Sequence, residues 1–258
     1  MPNVPLDEPA AVARQSAHIN GLDLFYLDTN TREICDGIGE RTRAEQPNQP
    51  LMLCLHGRFG RGETWLDLMG RYADRFRIVA PDQRGHGFSA KPRGKYTSEE
   101  LAQDAAALLA HLDSGPALVI GHSMGGRIAG YLAALYPHLV SALVILDQTA
   151  TGPEVASSLS LDSLPPADAF TADWPLPFSS QAQARHFLLR RTQSEVRTQY
   201  YLDSLIERED GYHMLFSQQA MAAIFEYQAD WFHLLPDILQ PVLVVRAKAS
   251  KELPPGRS

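Results

Sequence analysis

The chain has 258 residues, 45% of them hydrophobic and 21% charged, enough apolar material to bury a full-sized core in one large domain or one domain with an insertion. A formal net charge of -7 argues against a nucleic-acid or anionic-membrane partner. No apolar run approaches membrane-spanning length, and the N-terminus, Met1 to Pro5, lacks the basic-then-apolar pattern of a signal peptide, so a cytoplasmic location is expected by default. The two cysteines, Cys35 and Cys54, are then expected as free thiols.

In chain order, residues 1–16 read as a loosely held leader. Two β-prone runs follow, His18–Asn20 and Leu22–Asp28, joined at Asn20-Gly21, a dipeptide suited to a tight turn. The polar stretch 29–49 reads as a surface loop. Leu51–Leu55 is a continuous apolar run, the signature of a strand buried on both faces. Glu63–Arg75 carries Trp65, Leu68, Met69 and Tyr72 at helical spacing, and Phe76–Ala80 reads as a strand. Thr97 with Glu100 predicts a capping box, continued by Leu101, Ala105, Leu108 and Leu112 on one helical face. Then come a strand at Ala117–Ile120, a helix at Met124–Leu135 and a strand at Ala142–Leu146.

This alternation predicts an α/β fold with a doubly wound, mostly parallel sheet. At residue 150 the rhythm breaks. Residues 151–180 are rich in Ser, Pro, Asp and Ala, and 181–239 read as several helices dense in aromatics, before Pro241–Val245 restores the buried-strand pattern. The expected organisation is a core of 17–149 and 240–258 with a helical cap of 150–239 inserted over the C-terminal edge of the strands.

Chemistry concentrates at Gly121-His122-Ser123-Met124-Gly125-Gly126, a G-x-S-x-G pattern between a buried strand and a helix. Small residues at 121 and 125 permit a sharp turn that lifts the Ser123 hydroxyl clear of the sheet. The Met124 amide, opening the next helix, can then face a developing oxyanion.

With two further segments, Leu55-His56-Gly57-Arg58-Phe59-Gly60 and Asp82-Gln83-Arg84-Gly85-His86-Gly87-Phe88-Ser89, this stretch resembles the α/β-hydrolase superfamily, closest to its cap-bearing serine esterase branch, over about residues 18–254. The resemblance implies that the residue after His-Gly donates the second oxyanion amide, which is Arg58, with Phe59 as its neighbour. It implies a structural role for Asp82 and Arg84, and packing roles for His86 and His122. Arg127 resembles the arginine with which the menaquinone-pathway synthase of this superfamily holds a substrate carboxylate, and structural pairing is its competing role.

A serine hydroxyl needs a base, and the base an orienting acid. The resemblance places that acid after the strand Val242–Val245, where Ser250 occupies the usual aspartate position and Glu252 is close by. Some relatives use the preceding strand end, where Asp147 stands, and Asp147 is preferred on that placement. The family's histidine follows one further strand, in a Gly-His turn beyond residue 258. His213 and His233 are the candidates within the cap. The simplest expectation is a truncated copy of a complete hydrolase, and a naturally shortened homologue is the second.

The expected reaction is hydrolysis of an ester, thioester or lactone through a Ser123 acyl-enzyme, with no cofactor and no metal. A serine nucleophile argues against epoxide hydrolysis and dehalogenation, whose relatives attack with aspartate. Carbon–carbon bond hydrolysis and cofactor-free lyase chemistry reuse the same constellation and stay open. The partner is a small, largely apolar acyl or aryl molecule bound by Phe59, Arg127 and Trp231, with a carboxylate suiting Arg58 or Arg127. Neither nucleic acid nor membrane is expected as partner. The rival class is a binding protein on an impaired hydrolase fold. Lacking its closing strand, such a chain is expected to be poorly stable alone or to form a homodimer through the exposed sheet edge.

Overall fold

The computed structural model describes residues 12–30, 49–248 and 250. Cys35, Glu252 and most of the expected leader and 29–49 loop lie outside them. A seven-stranded sheet in the order β1-β2-β4-β3-β5-β6-β9 organises the chain.

β1 (Ala13–Ile19) and β2 (Leu22–Asp28) form the antiparallel hairpin, turning at Asn20 and Gly21 with φ of 51° and 73°. Positive φ at both central residues matches the right-handed twist of the flanking strands. β1 begins inside the stretch expected to be a leader, because its first residues pair with the far end of β2, Ala13 opposite Asp28.

β2 pairs antiparallel with β4 (Arg77–Pro81), and from there the sheet is parallel through β3 (Leu51–Leu55), β5 (Ala117–His122), β6 (Val140–Leu146) and β9 (Val242–Val245). Every residue of β3 is buried, and the side chains sort by the two-residue period of a strand. Leu51, Leu53 and Leu55 face one core, and Met52 and Cys54 face the other. The second core is closed by Trp65, in a 3₁₀ turn at Gly62–Trp65, and by Met69 of α1 (Leu66–Tyr72). Together these replace the single helix expected over 63–75, and Tyr72 falls outside the core. Cys54 is a fully buried free thiol whose pKa burial pushes up.

The first core lies under α2 (Ser98–His111) and α3 (Met124–Leu135). The capping box of α2 forms as read: the Glu100 amide donates to Thr97 Oγ1 at 3.3 Å, and the Thr97 amide to Glu100 Oε2 at 2.9 Å.

The inserted segment contains α4 (Gln181–Thr192), α5 (Glu195–Leu202), a hairpin of β7 (Leu205–Arg208) and β8 (Gly211–Met214), and α6 (Gln218–Glu226). Ser180, Ser194 and Ser217 cap its three helices. The hairpin departs from the all-helical expectation. Its signal was Asp210-Gly211, a turn dipeptide beside two four-residue runs. The segment meets the ends of three parallel strands through hydrogen bonds from Tyr200 to Gly57, from the Ser217 amide to Gly85, and from Trp231 to Thr149. Its buried side chains join the α2–α3 core. Among the described residues, no helix is long and apolar enough to cross a membrane.

Candidate active site

The turn from β5 into α3 is tightly constrained. Ser123 sits between them at φ 50° and ψ -119°, a conformation that non-glycine residues rarely adopt. Its amide donates to Leu146 O at 2.9 Å, and its carbonyl accepts the Gly126 and Arg127 amides at 2.8 and 3.2 Å. A Cβ added at Gly121 would stand 2.1 Å from Gly125 O, and one at Gly125 would stand 2.1 Å from Leu55 O. Only glycine lets α3 come this close to β3 and β5, and that approach holds the serine in its strained position. Ser123 is half-buried, and the first amides of α3, Met124 at their head, carry the positive end of the helix dipole beside its hydroxyl.

The loop after β3 forms the opposite wall. The His56 ring is fully buried, accepting the Gln83 amide on Nε2 at 3.0 Å, so its proton resides on Nδ1, 2.9 Å from Gly57 O. Burial lowers its pKa to about 4, and His86, packed edge-on at 4.8 Å, is lowered as well, so both rings are neutral. Phe59 is buried at φ 72°. The Arg58 guanidinium lies over the Phe59 ring at 4.6 Å and the Phe225 ring at 5.3 Å, within cation–π range.

Asp147 follows β6, and the pairing of His122 with Leu146 sets Ser123 and Asp147 side by side at the ends of adjacent strands. Asp147 also has positive φ, 52°; its amide donates to Val245 O at 2.8 Å, and its Oδ1 accepts the Ala247 amide at 3.2 Å. Desolvation lowers the His122 pKa more than the charge of Asp147 raises it, leaving that ring neutral. Asp82 and Arg84 are engaged in structure, though not with each other. Asp82 accepts the Gly62 and Phe88 amides at 2.6 and 2.7 Å, and Arg84 pairs with Asp104 on α2.

His213 is bonded to Asp210 at 2.7 Å on the hairpin and His233 is exposed, and neither ring hydrogen-bonds Ser123. Among the described residues, no histidine ring hydrogen-bonds the Ser123 hydroxyl. Nor does any group of three or more His, Cys, Asp or Glu side chains gather there as a metal site would require.

Arg127 is buried to 6% exposure. Its Nη1 donates to Gln228 Oε1 at 2.5 Å, while its Nε has no partner. It forms no ion pair with a carboxylate among the described residues, and burial together with the nearby Arg58 charge pushes its pKa down. Trp231 packs its ring on α3, where a Cβ at Gly130 would meet it at 2.5 Å, and its indole N–H donates to Thr149 O at 3.1 Å.

Sequence reasoning missed some contributors and counted others, Tyr200, Tyr201 and Phe216, only among the aromatics of 181–239. Phe170, Trp174 and Phe216 join Phe59 and Tyr201 in one aromatic cluster with centroid separations of 5.1–6.0 Å. Two of them lie in 151–180, a stretch whose Ser and Pro content masked them. Tyr200 and Ser204 reach the loop after β3. Gln228 meets Arg127 across 101 residues, a separation at which no local pattern signals contact.

Comparison with known proteins gives a consistent picture. The family described as α/β-hydrolase fold matches residues 50–255. A 2-(acetamidomethylene)succinate hydrolase from Mesorhizobium japonicum is 31% identical over 255 residues, 95% of this chain and 83% of that protein. The crystal structure of an E-2-(acetamidomethylene)succinate hydrolase superposes with a TM-score of 0.69 at 26% identity, covering 92% of this chain and 81% of the other. A thioesterase domain from the curacin biosynthetic pathway also gives 0.69, over 96% and 87% of the two chains; at 20% identity it speaks for the fold alone.

Proposed function

Since the chain belongs to the α/β-hydrolase family and is a hydrolase like its named relatives, we propose that it cleaves an ester, thioester or lactone of a small carboxylate-bearing molecule through a Ser123 acyl-enzyme. The observation that carries this reading is the serine held at φ 50° between β5 and the first turn of α3, strain that packing maintains at one hydroxyl.

In this reaction Ser123 Oγ attacks the acyl carbon and gives its proton to a general base, a role that no described histidine fills, with Asp147 placed at the adjacent strand end to orient it. The carbonyl electron pair moves onto oxygen, where the Arg58 and Met124 amides receive it. Collapse expels the leaving group with a proton returned by the base, and water then releases the acid by the same route.

Phe59 and Trp231 supply apolar walls, and Arg127 holds the carboxylate. A buried guanidinium without a carboxylate partner is costly, and an anionic substrate group compensates it. The relative's name carries a succinate, a dicarboxylate, which suits a carboxylate held by Arg127; its acetamido group is an amide rather than an ester.

The test is mass spectrometry after fluorophosphonate treatment, with Ser123→Ala as control. Adduct on Ser123 is expected, and intact protein left unlabelled there would sink the mechanism. Arg127→Met is expected to weaken binding of an aryl hemisuccinate about 10- to 100-fold while an aryl acetate binds as before, the loss of one charge-assisted contact. Equal loss for both esters would remove Arg127 from the substrate.

A further inference from the structure

The Gly57 carbonyl is held by three donors at once. His56 Nδ1 lies 2.9 Å away, the Gly60 amide 3.0 Å and the Tyr200 hydroxyl 3.0 Å. The same hydroxyl stands 3.2 Å from Arg58 O, so its single proton is shared between two successive carbonyls. Each carbonyl belongs to a rigid planar peptide unit whose other end is the next amide. Gripping Gly57 O therefore aims the Arg58 N–H, and gripping Arg58 O aims the Phe59 N–H. A donor on the carbonyl also polarises the unit and strengthens the amide at its far end.

Tyr200 belongs to α5, in the inserted segment, and the contact is a close fit: a Cβ on Gly60 would lie 2.2 Å from its oxygen. Burial raises the Tyr200 pKa, so the phenol remains a donor. The residues that follow continue the grip, with Ser204 Oγ donating to Phe59 O at 2.8 Å and Arg61 Nε to Asp203 O at 2.5 Å. Loop 57–61, which carries a strained Phe59, is thus fastened along its length to the end of α5.

We propose that Tyr200, supported by Ser204, is a positioning residue that aims the oxyanion-binding amides of loop 57–61, making the inserted segment a structural part of the oxyanion hole. This rests on the reading of the Arg58 amide as an oxyanion donor. Removing the hydroxyl takes one of three donors from Gly57 O and the shared donor from Arg58 O, so the loop stays in place while the aim of its amides loosens.

The experiment follows the rate of fluorophosphonate labelling at Ser123 in the whole protein, separating the maximal rate from the reversible affinity, in wild type, Tyr200→Phe, Ser204→Ala and the control Tyr72→Phe, an exposed tyrosine on α1. Amide hydrogen exchange over 57–61 is read in parallel. The expected result is a maximal rate about tenfold lower in Tyr200→Phe, with reversible affinity within about twofold of wild type, as expected for a misaligned rather than deleted donor. Exchange should rise over 57–61 only, with a smaller effect in Ser204→Ala and none in Tyr72→Phe. Wild-type labelling rates in both Tyr200→Phe and Ser204→Ala would overturn the inference and leave the Ser123 mechanism standing. Failure of the wild type to label would overturn that mechanism, and unchanged exchange in Tyr200→Phe would then overturn the loop clamp as well. Should Tyr200→Phe fail to fold, Ser204→Ala carries the same two readouts.

Discussion

Two junctions lie side by side on the sheet and are held by different means. Where β5 runs into α3, backbone packs on backbone: Gly121 and Gly125 leave no room for a methyl group, and neighbouring β3 is buried on both faces. Where β6 meets β9, Asp147 is held by hydrogen bonds to Val245 and Ala247, and β9 shows 45–57% of every residue to solvent. Ser123, the proposed nucleophile, sits where backbone packs directly on backbone. Its proposed acid partner relies on an edge strand whose apolar side chains contribute little burial. Both junctions hold a non-glycine residue at positive φ, 50° at Ser123 and 52° at Asp147, so the difference teaches that such a position can be held by close backbone packing or by hydrogen bonds from a neighbouring strand.

The largest expected effect is at the tight junction. Gly125→Ala forces a methyl carbon against the Leu55 carbonyl, which is backbone and cannot rotate away, and should cost about 3 kcal/mol or more by denaturant titration. A loss below about 1 kcal/mol would mean that α3 can slide and that the junction is not rigid. Close behind, Leu53→Ala opens a cavity in the fully buried β3 and should cost about 3 kcal/mol in the same assay.

Acid should attack the same side. The His56 pKa is about 4 in the fold against 6.5 unfolded, so between those values the unfolded chain binds a proton that the folded chain refuses. Stability is therefore full above about pH 6.5 and falls as pH drops toward 4, by on the order of 3 kcal/mol from His56, with His86 acting in the same direction. Urea midpoints at pH 7.5 and 4.5 measure it, and a flat profile would show that acid can reach the pair without unfolding. The smallest effect belongs to the edge: Leu243→Ala, at 57% exposure, should change stability by no more than about 0.5 kcal/mol. A loss matching that of Leu53→Ala would show that β9 is covered in solution and would erase the contrast between the two junctions.

Much of this was legible in the residues. Thr97 and Glu100 announced the start of α2, Asn20-Gly21 announced the first hairpin, and Gly121 to Gly126 announced the strand–turn–helix around Ser123. Such signals are local, because caps and tight turns are satisfied within a few residues. The preference for Asp147 over the loop after β9 rests on strand-end placement; the register puts it at the end of β6, the strand next to β5, while Glu252 lies outside the described residues.

What only the tertiary structure decided is which similar-looking segments become different environments. Leu51–Leu55 and Val242–Val245 are both continuous apolar runs, yet one is buried throughout and the other exposed, since burial depends on the neighbours a strand acquires in the sheet. The clamp of Tyr200 and Ser204 on loop 57–61 joins residues 142–145 apart, and Arg127 meets Gln228 across 101. Composition and periodicity determined the sheet and the core helices, and the motif at Gly121 to Gly126 marked Ser123 as the candidate nucleophile. Contacts between residues so far apart arise only when the inserted segment folds down onto the strand ends, and no local pattern encodes them.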